Sequence, residues 1–156
     1  MHYDITSMEV GDRPEFATPD PRFLEALGEE KFRAFMSRFY DIISEDDDVA
    51  HFFPQEGPEL EAAKQNSSDF FVQLMGGRKW HDERRGGKSM EFVHRRFSIT
   101  PKAREGWLHC MQQALNELEL DQGLKDSFWN YVESFSKHIV NVSIRKTGTY
   151  EEMVKV

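Results

Sequence analysis

Six histidines (His2, His51, His81, His94, His109 and His138), a single cysteine and thirteen phenylalanines bound the chemistry open to this chain. No two histidines stand four residues apart, so no helix face offers a pair of imidazole ligands. The two Glu-x-x-His motifs that a di-iron bundle needs are not present as a pair. HExxH, GxSxG and a glycine-rich phosphate loop before a helix are absent. Cys110, alone, excludes a CxxC zinc or redox centre and an internal disulfide framework, and a reducing cytoplasm is its simplest setting. Chemistry is left to one histidine at a time.

His94 is the one placed to do it. It lies inside the short apolar segment MEFVHRRFSI, two residues after Phe92 and three before Phe97. One reading is a satisfied core histidine. The other is a single axial ligand to a metal whose remaining ligands belong to a cofactor, a description that haem meets because the porphyrin supplies four nitrogens. The pattern alone leaves both open. A second feature is the helical face Leu60, Ala63, Ser67, Phe70, Phe71 and Leu74, bulky at one end and small or polar in its middle. Such a face leaves room for something other than a side chain, or else lets two helices approach closely.

The elements that must position these residues read as helices. Pro14, Pro19 and Pro21 mark an extended arm over residues 1–22. From Glu29 onward Phe32, Phe35, Met36, Phe39, Ile42 and Ile43 recur at steps of three and four, with Tyr40 beside the stripe. The segment HFFPQEGPE leads to the second stripe, which Gly76-Gly77 ends as a left-handed cap. Thr100-Pro101 and Asp121 each signal a helix start. The last helix keeps its period through Leu124, Phe128, Tyr131, Val132, Phe135, Ile139 and Val142, and residues from Arg145 read as a polar, frayed end. The expected fold is all-α, with a domain over 23–146 and a tail over 147–156.

Composition agrees. The 156 residues and 18.3 kDa suit one domain, and 38% apolar with 31% charged residues suits a globular one. No apolar run approaches the ~20 residues of a membrane span, and the amino terminus lacks a basic and then apolar leader pattern. A net charge of −8 argues against nucleic acid. The densest basic stretch, Arg78 to Arg96, holds seven bases and three acids, which reads as a solvated loop face or a local anion contact.

Between Phe39 and Leu118 the chain resembles the truncated haemoglobins, the short two-over-two helical globins, and most closely their second group. Phe39-Tyr40 is similar to the family's Phe-Tyr pair, whose hydroxyl points to the distal side of the haem. Phe53-Pro54 resembles the aromatic-Pro pair whose ring packs on the porphyrin. Gly76-Gly77 matches the pair ending the distal helix. His94-Arg95-Arg96-Phe97-Ser98-Ile99 resembles His-x-x-Phe-x-Ile, proximal histidine first. Trp107-Leu108-His109-Cys110-Met111 resembles Trp-Leu-x-Cys-Met, whose Trp marks the second group. The chain departs from the family at Arg78, where Pro is usual, and at Val93, where Arg is common. A Tyr that reaches a haem propionate falls at Trp80 or His81 here.

The resemblance implies haem b bound through His94, with Phe53, Phe70, Met90, Phe97, Trp107 and Met111 against the cofactor. It implies Tyr40, Trp107, Ser67 and Ala63 around the distal ligand, and Arg84, Arg85, Arg95 and Arg96 as bases for the propionates. The expected function is binding of dioxygen or another diatomic ligand, with a reductase as partner, no nucleic acid or membrane partner, and a monomer or weak dimer. The alternatives are a redox haem enzyme acting on peroxide or nitric oxide, and a helical interaction module without haem.

Overall fold

A computed structural model describes residues 2–147 and 150–155. Among them seven α-helices run in order: α1 (Arg22–Leu27), α2 (Glu29–Ser44), α3 (Gly57–Leu74), α4 (Trp80–Arg85), α5 (Met90–His94), α6 (Pro101–Asn116) and α7 (Gln122–Phe135). The period seen in the sequence becomes the buried face of α2, which carries Phe32, Phe35, Met36, Phe39, Tyr40, Ile42 and Ile43. The expected caps form: Thr100 accepts from the Ala103 N–H at 3.1 Å, and Asp121 from the Leu124 N–H at 3.3 Å. Gly76 takes the left-handed φ of 87°. A Cβ on Gly77 would stand 2.6 Å from Val72 Cγ1, so the chain turns back beneath α3 only without a side chain there.

Helix α2 packs on α3 and on α6, and α6 on α7, the two-over-two arrangement that the resemblance implies. Many of the phenylalanines meet at the centre. Phe23 stacks on Phe128 with centroids 4.8 Å apart, while Phe35 and Phe71 approach the same ring at 5.8 and 5.1 Å.

The proline-containing arm lies against α6 and α7. Tyr3 stacks on Trp129 at 4.8 Å and donates to Asp126 at 2.9 Å. Phe16 meets Tyr131, Phe135 and His138 edge-on. Arg104, 3% exposed, donates to the Thr6 carbonyl, the Glu133 carbonyl and carboxylate, and the Ser136 hydroxyl. The arm and α7 thus share one buried guanidinium.

The carboxy-terminal segment differs from the helical reading. Helix α7 stops at Phe135, and a 3₁₀ turn follows over Ser136–His138. Then β1 (Val142–Thr147) pairs antiparallel with β2 (Tyr150–Lys155), Val142 opposite Lys155 and Thr147 opposite Tyr150. A local pattern and a distant anchor both contribute. Val142 and Ile144 alternate with polar neighbours at a period of two. Asn141 also anchors the strand's start, accepting from the Ile99 N–H at 2.9 Å and donating to the Phe97 carbonyl at 2.8 Å.

Candidate functional site

The geometry starts from α5, a helix of five residues capped by Ser89, whose hydroxyl accepts from the Phe92 N–H. Its last residue is His94. The imidazole Nδ1 lies 2.6 Å from the carbonyl of Met90, one turn earlier. A carbonyl can only accept, so Nδ1 carries the proton and Nε2 keeps a free lone pair. Burial pushes the His94 pKa down, opposed by that same bond. A neutral ring, held in one plane by a backbone partner, is the state in which imidazole ligates a metal. Among the described residues no three His, Cys, Asp or Glu side chains gather to hold a bare ion.

On α2 and α3, the hydroxyls of Tyr40 and Ser67 share a hydrogen bond. Tyr40 is 6% exposed, and burial raises its pKa while the Ser67 bond works against the rise. The phenol therefore stays protonated at neutral pH. Two hydroxyls joined by one hydrogen bond use one proton between them, so one O–H remains to donate elsewhere. Ala63, half-buried one turn before Ser67, keeps this stretch of α3 small.

Aromatic rings surround the pair. Phe53 meets Tyr40 edge-on at 5.4 Å, and Phe39 meets both Tyr40 and Trp107, at 5.8 and 5.2 Å. Phe53 is extended (φ −125°, ψ 147°), the conformation that the following Pro54 favours. Its neighbour Phe52 approaches Phe97 at 6.5 Å, and Phe97 lies 6.4 Å from His94. Phe97 thus stands beside the candidate ligand on α5, with Phe52 next to it, while Phe53 and Phe39 flank Tyr40 of the hydroxyl pair. The Trp107 indole N–H makes no hydrogen bond among the described residues. Met111 is fully buried, and Met90 and Phe70 half-buried.

The basic residues divide. Arg84 pairs at 2.9 Å with Asp69, a fully buried carboxylate that Arg33 also holds at 2.8 Å. Arg95 donates to the Phe92 carbonyl at 2.8 Å, Arg96 lies over the Phe97 ring, and Arg85 makes no ion pair among the described residues. Trp80 donates its indole N–H to Glu29 at 2.8 Å. His81 is different. It is 6% exposed, sits 5.6 Å from the Phe70 ring, and neither of its ring nitrogens has a hydrogen-bond partner. A buried imidazole without partners costs about 1–3 kcal/mol, and a haem carboxylate at that edge would remove the cost. The free Nε2 of His94, the one unspent hydroxyl proton of the Tyr40–Ser67 pair, the Trp107 N–H, the aromatic rings beside them and the orphaned His81 together fit a haem.

Sequence reasoning named Met90, Phe39 and His81 without the contacts they make here, and did not single out Phe52. The Met90 partner is a main-chain carbonyl, although Met90 and His94 stand one helical turn apart. Phe52 is visible only as the neighbour of Phe53. The solitude of His81 is a tertiary property with no local signature.

Comparison with known proteins shows the family. The bacterial-like globin family matches residues 22–141. The group 2 truncated haemoglobin 3-1 of Lotus japonicus is 32% identical over 126 residues, covering 80% of this chain and 75% of that protein. The structure of phosphate-bound Hell's gate globin IV superposes with a TM-score of 0.78 at 28% identity, over 90% of this chain and 87% of that one. The group II truncated haemoglobin of Bacillus anthracis gives 0.71 at 28% identity, over 76% and 95%.

Proposed function

The chain belongs to the bacterial-like globins, among the group II truncated haemoglobins, and from that membership we propose that it is a dioxygen-binding haem protein built on haem b. The observation that carries this reading is the His94 imidazole, its Nδ1 held at 2.6 Å by the Met90 carbonyl and its Nε2 left free. Haem, when bound, supplies an iron with one open position for a diatomic gas. His94 would be the residue that holds the haem iron, and the Met90 carbonyl fixes the plane of its ring.

The remaining residues act on the gas ligand. The Tyr40–Ser67 pair offers one hydroxyl proton and Trp107 offers an indole N–H. Both would be aimed at a ligand that draws negative charge from the iron, so they favour retention over release. At about 0.5–1.5 kcal/mol for each neutral hydrogen bond, two donors slow dissociation roughly tens-fold. Phe53, Phe70, Met90, Phe97 and Met111 supply the apolar wall that excludes water, and His81 answers a propionate at the edge. Slow release suits redox or sensing chemistry better than bulk delivery, and that chemistry needs a reductase to restore the ferrous state. A reducing, cytoplasmic setting for the buried Cys110 belongs to the same reading.

Absorption spectra of the purified protein test it: ferric, dithionite-reduced, then exposed to air. A Soret band that moves on reduction and again with oxygen is expected, and His94→Ala should abolish it. A colourless protein that also refuses added haemin would overturn the reading in favour of a helical interaction module.

A further inference from the structure

Charge is segregated on this molecule. Between Arg78 and Arg96 seven bases oppose three acids, whereas the rest of the chain holds 13 bases and 25 acids. The three local acids do little to neutralise the stretch. Glu83 is taken by Arg78 at 2.9 Å, Glu91 is held at 2.9 Å by Arg13 from the arm, and Asp82 stands alone among the described residues. Lys79, Arg85, Lys88, Arg95 and Arg96 are exposed and make no ion pair among the described residues.

In the middle of this stretch lies Phe92, 41% exposed. The Arg95 guanidinium sits 3.7 Å from its ring centroid and the Lys88 ammonium 5.2 Å. Phe16 is the other large hydrophobic side chain exposed among the described residues, and it already packs on three rings of the globin. Phe92 has no comparable partner. An exposed aromatic ring rimmed by cations has the make-up of a docking anchor. It also stands two residues before His94 on α5, about 200° around the helix, so its side chain faces outward where that of His94 faces inward.

We propose that this face, centred on Lys88, Phe92 and Arg95, docks an acidic one-electron carrier, a flavin or iron–sulfur protein, that reduces the haem. The proposal rests on the haem reading above. The rest of the chain, with 13 bases against 25 acids, repels an acidic protein while this basic face attracts it, so the field both gathers and orients it. The position favours an electron donor over other anionic partners. One helix about 10–12 Å across separates the face from the axial ligand, a proximity that a nucleic acid or membrane would not use. The step moves one electron from the reduced carrier to ferric iron, which becomes ferrous. No bond to protein forms or breaks, and no proton is required.

Stopped-flow reduction of the ferric holoprotein by reduced flavodoxin, an acidic carrier used here as a probe, tests this through the Soret shift. The second-order rate is expected to fall about ten-fold or more between about 10 mM and 300 mM salt. Lys88→Glu combined with Phe92→Ser should lower the low-salt rate about ten-fold. The same variant should keep the wild-type Soret band and the wild-type rate with photoreduced deazariboflavin, an uncharged donor. A salt-independent rate, or a variant as fast as wild type with flavodoxin, would overturn the docking assignment. So would wild-type protein that binds phosphatidylserine vesicles through Lys88 and Phe92 while flavodoxin reduction ignores both residues. A missing Soret band would instead fail the haem reading, and so the two failures are separate observations.

Discussion

The hydroxyls of Tyr40 and Ser67 share a single hydrogen bond across the joint between α2 and α3. Either can be its donor, so the pair always presents one unspent proton. Removing one member leaves different remainders. Ser67→Ala leaves Tyr40 with its own O–H free, whereas Tyr40→Phe leaves only the shorter serine. Tyr40→Phe is expected to raise the oxygen dissociation rate roughly 2- to 12-fold, the equivalent of one neutral hydrogen bond. Ser67→Ala should raise it less. Oxygen displacement by carbon monoxide in a stopped-flow instrument measures both, and equal rates in wild type and Tyr40→Phe would remove Tyr40 from the ligand site.

Where local chemistry decides structure, the chain is readable in advance. The α2 stripe, the Thr100 and Asp121 caps and the left-handed Gly76 follow from side-chain spacing and from backbone preference within a few residues. His94 drew notice as a histidine inside an apolar run, but that pattern left a core role open as well, and only the family resemblance singled it out as the haem ligand. The rest is settled by distant partners. Val142 keeps a helical step from Ile139, but pairing with Lys155 and the anchoring of Asn141 to Ile99 and Phe97 turn it into a strand. The arm carries no apolar period and still docks, through Tyr3 on Trp129 and Thr6 on Arg104.

That buried Arg104 carries a second expectation. Its guanidinium is 1% exposed and its partner Glu133 13%, with N–O at 2.9 Å. Losing one partner of a buried ion pair strands the other. Arg104→Met should therefore cost about 3 kcal/mol, lowering the melting temperature by roughly 6–12 °C in a domain of this size. Arg104→Lys should fall between, because one ammonium cannot reproduce the forked contacts. Calorimetry of the three proteins checks the order, and a melting temperature unmoved in Arg104→Met would show that the arm needs no such tether.

Alkaline pH should destabilise the fold in a defined direction. Burial, with Asp46 nearby, pushes the Cys110 thiol from 9.0 up to about 12, and burial with Asp126 pushes Tyr3 from 10.0 up to about 12. Tyr40 and Tyr131 also move up by burial. An acid with a raised native pKa binds its proton more tightly when folded, so its contribution is complete below the unfolded value and disappears as pH rises through the folded one. Stability should hold to about pH 9 and then fall progressively toward pH 12. Urea titrations at pH 8, 9, 10 and 11 would show this slope, and Cys110→Ala should flatten its first part. The native thiol should also resist alkylation at pH 8, since almost no thiolate is present.

His81 makes the sharpest separation between the protein with and without its cofactor. Both of its ring nitrogens are buried without partners, 5.6 Å from the ring of Phe70 on α3. The resemblance places a propionate donor at Trp80 or His81, and Trp80 is already spent on Glu29 at 2.8 Å. If His81 waits for a haem carboxylate, replacing it acts in opposite directions on the two forms. His81→Phe removes an unsatisfied polar group from the haem-free protein, which should gain up to about 1–3 kcal/mol. The haem-bound protein loses a charge-compatible hydrogen bond, and transfer of haem to an apomyoglobin acceptor should speed up by roughly ten-fold. A purely structural His81 would move both forms the same way. Denaturant titration of the haem-free protein and haem-transfer kinetics of the loaded one, run on the same variant, distinguish the two cases.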